Sequence, residues 1–184
     1  MRPLGALLAG LLAACGPSRN LSAFFSFEDS LQGWEPHAAD LQGPRGEDAW
    51  SITTDPTFPF DARSSVRFFL DNANGAGKIW LERTFTLPSS RRRNLHLDFA
   101  TAGSSDALLP DRLVVGAFPA APRTEDEIQS ALQAAGIASF QWTSHAYDFD
   151  VDGSAVVVIV GVAGGNTGRV VYHLDALTVL FTDL

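Results

Sequence analysis

Hydrophobic and polar positions alternate along most of this chain. Ile79, Leu81, Phe85 and Leu87 interleave with Trp80, Glu82, Thr84 and Thr86, and Leu95, Leu97 and Phe99 interleave with His96 and Asp98. A period of two places one set on a buried face and the other outside, as a strand requires. Similar short apolar runs bounded by turn residues predict about nine strands: 23–27, 49–53, 65–70, 79–87, 95–99, 113–118, 140–149, 154–162 and 170–181. That number is enough for two packed sheets, so the expected fold is all-β, a two-sheet sandwich. The run Val156 to Val160 is continuously apolar and reads as a central strand buried on both faces, with Asp152-Gly153 before it as a hairpin signal. In 140–151 the bulky residues change parity, from Phe140 and Trp142 to Tyr147, Phe149 and Val151, which predicts a bulge near Ser144.

One segment follows the helical period instead. Thr124-Glu125-Asp126-Glu127 is a capping box that opens a helix through Ile128 to Ala135, stopped by Gly136. About three turns are expected, with Ile128 and Leu132 packed over one end of the sandwich and the acids at the positive end of the dipole.

The first residues differ from all of this. Arg2 is followed by an apolar stretch, Leu4 to Ala13, too short to span a bilayer and ending in Leu12-Ala13-Ala14-Cys15. These four residues resemble the lipobox of bacterial lipoproteins, and the resemblance implies a signal peptide over 1–14 and lipidation of Cys15. Residues 15–20 would then be the lipidated cysteine and a short linker, and 21–184 one domain. Acyl chains on Cys15 would tether the protein to a membrane without spanning it. Gly16 rather than Asp after the cysteine implies, by resemblance to Gram-negative sorting, the outer membrane. In a cell with a single membrane the same signal implies its outer face.

Composition narrows the function. The chain has 184 residues, 46% of them apolar, with 13 basic and 21 acidic side chains and a net charge of −8. Removing residues 1–14 takes away one Arg and no acid, leaving twelve bases against 21 acids and a net charge of −9. Without a basic surplus, nucleic acid is not an expected partner. Cys15 is the sole cysteine; once lipidated, it leaves no thiol for a disulfide or a zinc site. The triple arginine Arg91-Arg92-Arg93, after Pro88-Ser89-Ser90, reads as a solvated loop.

Phe27-Glu28-Asp29-Ser30-Leu31-Gln32-Gly33-Trp34 resembles the opening of galactose-binding-like jelly rolls, the sandwich of many carbohydrate-binding modules. Ser64-Ser65-Val66 is similar to the start of their third strand, Trp142-Thr143-Ser144 to the late tryptophan strand, and Tyr172-His173-Leu174-Asp175 to the closing strand. The resemblance runs in order over nearly all of 21–184 and implies a jelly-roll β-sandwich. Members of that fold often hold a structural calcium between the first and last strands, which makes Glu28 and Asp175 the expected ligands, although Ser30 stands where a Gly usually turns the loop. Calcium takes six to eight oxygen ligands. The run Asp148-Phe149-Asp150-Val151-Asp152-Gly153 imitates half of another calcium loop, but its twelfth position is Ile159 and its flanks are strands.

Flat aromatic rings with polar neighbours can hold the C–H faces of sugars. Trp142, His145, Tyr147, Trp80 and Trp50 are the candidate ligand-binding residues, with His96 and Asp98 as outward polar companions, while Trp34 and Tyr172 are equally suited to the core. No nucleophile elbow and no histidine pair at ligand spacing is present, and the four histidines are dispersed, so the protein is not expected to be an enzyme. Two readings remain open. One is a lipid-anchored envelope protein binding glycan, which should show an exposed aromatic strip; the other is a structural or protein-binding lipoprotein, which should show none.

Overall fold

Alternating residues become strands where a second strand can cover one of their faces. A computed structural model describes residues 20–41, 50–72, 75–103, 112–134, 137–164 and 168–184. The expected signal peptide, Cys15 and the linker to residue 19 lie outside the described residues. The strands are β1 (Leu21–Phe25), β2 (Glu35–Ala39), β3 (Trp50–Asp55), β4 (Ser65–Asn72), β5 (Lys78–Thr86), β6 (Arg93–Gly103), β7 (Arg112–Phe118), β8 (Leu132–Ala134), β9 (Thr143–Val151), β10 (Ala155–Ala163) and β11 (Gly168–Asp183), with one helix, α1 (Glu125–Ser130). One sheet runs β3-β4-β11-β6-β9, with β1 beside the second half of β11, and the other runs β2-β5-β10-β7-β8. All of these pairings are antiparallel. This is the expected jelly-roll β-sandwich.

The two inner faces bury Phe25, Trp34, Leu81, Phe85, Leu97, Tyr172 and Phe181 among others. Trp34 meets the ring of Phe25 edge-on at 5.4 Å and that of Phe85 at 6.0 Å. Edge-to-face pairs of this kind add about 0.5–1.5 kcal/mol beyond the area they bury. The Gly33-Trp34 pair thus serves the core.

Four local expectations need correction. The strand β2 was not expected, because Glu-Pro-His-Ala-Ala lacks β-branched residues; it lies at a sheet edge, where a proline is tolerated. The helix ends at Ser130, and residues 132–134 turn extended to pair with β7, whose edge hydrogen bonds outweigh helix propensity. No bulge occurs near Ser144: β9 pairs with β6 without interruption from Thr143 to Val151, and Phe140 and Trp142 simply precede the strand. Asp152-Gly153 does not close a hairpin, since β9 and β10 belong to different sheets; Gly153, at φ 107°, turns the chain across the sandwich.

The bulge lies in β11 instead, between Asp175 and Thr178, with Ala176 at φ 54°. Inward positions change from Tyr172 and Leu174 to Leu177, Val179 and Phe181. The same parity change is visible in the sequence.

Sheet β2-β5-β10-β7-β8 is covered on both faces, as the apolar run of β10 requires. On its outer face α1 and the segment around it close a second core of Trp80, Val114, Ile128, Ala131, Val157 and Ile159. The helix therefore covers a face rather than an end. Lys78 ties it down: its Nζ lies 2.9 Å from Glu125 and 2.5 Å from Asp40, and Arg123 pairs with the buried Glu82 at 3.2 Å. Burial alone would lower the Lys78 pKa, but these two carboxylates outweigh it and hold the ammonium charged.

Candidate functional site on the outer face of the first sheet

Among the described residues no helix lies over the outer face of the sheet containing β11. Two loops, 56–64 after β3 and 137–142 before β9, fold across one half of it. They meet over His173, which points outward from β11. Phe58 stacks on Trp142 at 5.5 Å and 18°, Phe60 packs on the same indole at 5.3 Å, and Phe58 lies 5.2 Å from the His173 ring. Phe60 and Phe140 are 49% and 55% exposed, and Trp142 is half-buried. Aromatic carbon in contact with water is costly, so the exposed Phe60 packed on the half-buried Trp142, with Phe140 exposed two residues before that indole, is the feature of this surface that calls for a ligand.

The loop is held by carboxylates. Asp175, fully buried beside the bulge, accepts the N–H groups of Phe60 and Asp61 at 3.0 Å on Oδ2 and that of Ala176 at 2.7 Å on Oδ1. Glu28 accepts the N–H of Arg63 at 2.8 Å on Oε2, while its Oε1 is buried without a partner. Burial raises the Asp175 pKa, the three N–H bonds oppose this, and the neighbouring Glu28 adds to the rise. The expected calcium pair is therefore brought together from opposite ends of the chain. The free Glu28 Oε1 and the partly used Asp175 Oδ1 fit a cation, with the remaining oxygens to come from backbone or water. Among the described residues no group of three or more His, Cys, Asp and Glu could hold a metal.

Beneath the rings His173 is neutral. The Ser65 hydroxyl donates to the Phe58 carbonyl at 2.8 Å, so its oxygen must accept the Nδ1–H of His173 at 3.0 Å. Burial depresses the His173 pKa to about 4. In the unfolded chain it returns to about 6.5, so the unfolded state takes up a proton first as pH falls. Stability should accordingly drop by up to about 3 kcal/mol between pH 6.5 and 4. His145, half-buried and also lowered by burial, pushes the same way. Thermal unfolding at a series of pH values should show this slope, and His173→Gln should flatten it; an unchanged slope in the variant would assign the effect elsewhere.

The other candidate residues separate by face. Trp142 belongs to the ring cluster. His145 and Tyr147 point inward from β9 toward Phe99, with His145 Nε2 2.8 Å from the Thr101 hydroxyl and Tyr147 stacked on Phe99 at 6.0 Å. Trp50 packs half-buried against the main core. Trp80 is no platform: it is 3% exposed, stacked on His37 at 5.8 Å and covered by the second core. His96 and Asp98 do face outward, and His96 Nδ1 meets Asp148 at 3.0 Å. Asp148 and Asp150 lie exposed on one face of β9, where Asp148 meets His96 and Asp150 pairs with Arg92. Phe58, Phe60 and Phe140 were not anticipated. Their signal was present, since Phe58-Pro59-Phe60 and Phe140 are bulky aromatics among turn residues, outside any alternating run.

With fold and geometry described, known structures can be set beside them. The CBM22-1 xylan-binding domain from Paenibacillus barcinonensis Xyn10C superposes with a TM-score of 0.56 at 12% identity, over 88% of this chain and 94% of that one. The fold is that of the carbohydrate-binding β-sandwich modules. TmCBM61, solved in complex with β-1,4-galactotriose, matches with a TM-score of 0.51 at 14% identity over 82% of this chain and 88% of that one. The CBM22-1-GH10 modules of the Clostridium thermocellum xylanase 10B, complexed with xylohexaose, match at 0.52 and 12% identity over 88% of this chain and 28% of that one. No family profile and no curated protein sequence matches the chain.

Proposed function

We propose that this protein is a non-catalytic, lipid-anchored envelope protein that binds a glycan chain through the surface formed by Phe60 and Trp142. The observation that carries the reading is the exposed ring group itself, which distinguishes a sugar-binding sandwich from one that spends its aromatics on the core. Neighbours of the same fold that bind xylan and galactotriose support the class of ligand. Pyranose C–H faces would pack on Trp142 and Phe60, with Asp61, next to Phe60 in the chain, and Arg67, cross-strand from His173, as polar neighbours. The lipobox-like Leu12-Ala13-Ala14-Cys15 supports the anchor, and Gly16 supports the outer membrane in a cell that has one. Among the described residues no helix is long and apolar enough to cross a membrane.

The test is binding of the chain from Cys15 onward, unlipidated, to a panel of plant, bacterial and cell-wall polysaccharides. Saturable binding to at least one establishes the class. A folded sample that retains none of them overturns it and leaves a protein partner as the remaining reading.

Calcium belongs to the same proposal. Glu28 and Asp175 would hold it, and the cation would offset the repulsion between the buried Asp175 carboxylate and the neighbouring Glu28. A cation at a hundredfold its dissociation constant adds about 2.7 kcal/mol, or roughly 5–10 °C in a chain of this size. Melting in calcium should exceed melting in chelator by that order, and Glu28→Gln should abolish the difference. Identical melting curves would exclude the site.

A further inference from the structure

The end of the sandwich opposite the aromatic surface gathers features that nothing above employs. Here the chain enters at Asn20. Asn20, Leu21, Thr86, Leu87 and Pro88 line an open hollow of 360 Å³. Leu184, whose N–H bonds the Arg92 carbonyl at 3.4 Å, is 70% exposed beside it. The triple arginine falls in the same loop. Arg93 is buried and ion-paired with Asp183 at 2.9 Å, which corrects its assignment to solvent, but the Arg91 and Arg92 side chains are 71% and 64% exposed. Arg91 reaches Asp183 only at 3.8 Å, and Arg92 pairs with the exposed Asp150. In a domain with a net charge of −10 over residues 21–184, the one run of consecutive bases thus sits on an apolar rim.

We infer that this end is a docking face for an anionic bilayer surface. The inference rests on the reading of Cys15 as the tether. Five residues, Gly16 to Asn20, separate Cys15 from the first strand, and they reach at most about 18 Å when extended, so the anchored domain meets the membrane at this end before any other. Leu21, Leu87, Pro88 and Leu184 can enter the interfacial layer, and the planar guanidinium forks of Arg91 and Arg92 suit lipid phosphate. Docking would orient the ligand surface as well. His173 lies ten residues along β11 from Asp183, so the aromatic rings would stand roughly 30 Å along the strands from the bilayer.

Because Cys15 is the sole cysteine, the chain from Cys15 onward can be coupled through its thiol to maleimide lipid in nanodiscs of phosphatidylethanolamine and phosphatidylglycerol carrying a paramagnetic headgroup. Amide signals of Leu21, Leu87, Arg91 and Leu184 should broaden while those of Phe60 and Trp142 stay sharp. Arg91→Glu with Arg92→Glu should remove that contrast and lower partition of the uncoupled chain onto the same lipids by roughly 25-fold, about fivefold per arginine, with melting unchanged. Broadening spread evenly over both halves of the domain, or indifferent to the double substitution, overturns the docking face. The mass of Cys15 in protein taken from its own cells tests the tether separately, since artificial coupling makes the docking result independent of it.

Discussion

Replacing Gly161 with alanine should destabilise the fold by about 3 kcal/mol or more, an effect near the upper end for a single added methyl. Gly161 sits mid-strand in β10, opposite Trp80 of β5 and Val114 of β7. A Cβ there would lie 2.2 Å from the Ile79 carbonyl oxygen, 2.5 Å from Trp80 Cα and 2.6 Å from Trp80 Cβ. Two of these are backbone atoms, so relief requires β5 to move away from β10, and with it the Trp80 indole around which the second core is built. Gly116 in the adjacent β7 is the control. Its Cβ would meet Phe118 Cε2 at 2.7 Å, the far end of a side chain that can rotate away. Urea unfolding should therefore show Gly161→Ala well below Gly116→Ala. Equal midpoints would mean that the close approach of β5 does not govern the cost.

The second large effect concerns binding. For whichever polysaccharide the panel yields, Trp142→Ala should weaken affinity about 30-fold, the roughly 2 kcal/mol typical of a central aromatic anchor. Phe60→Ala should weaken it less, since the phenyl ring is smaller and more exposed. Trp142 is half-buried and packs on Phe58, so its truncation should cost only a modest part of the stability. Trp80→Ala should do the opposite, with unfolding easier by about 3–5 kcal/mol and affinity retained in the protein that remains folded. Isothermal titration beside melting curves separates the two. Full affinity in Trp142→Ala would show that the sugar, if bound, lies elsewhere on the sandwich.

These contrasts show what one sequence can and cannot display. Most strands from β3 onward were legible because burial of one face is written as period two, and β10, buried on both faces, because its apolar run is continuous. The short edge strand β8 is the exception: a weak, helix-like sequence took its hydrogen bonds from an exposed neighbouring edge, and β2 was missed for the same kind of reason. The Glu28–Asp175 pairing was an expectation from resemblance and order along the chain, and in the fold both carboxylates accept N–H groups of the 60–63 segment. Trp80 and Phe60 show where this reasoning stops. Both are aromatics on outer faces of sheets, yet one is 3% exposed and the other 49%.

What the sequence determined alone was the all-β class, the central place of β10, the start of the helix, the acidic charge and the lipobox-like segment before the domain. All of these depend on neighbours in the chain: periodicity, capping and composition are local. Only the tertiary structure decided which aromatics meet water. Trp80 is hidden because α1, held by Lys78 and Arg123, lies across its sheet, while the bulge in β11 and the Asp175 carboxylate bring the Phe58–Phe60 loop over the other sheet to meet Trp142. A ring's exposure is set by what packs over it, and here those partners come from segments far away in the sequence.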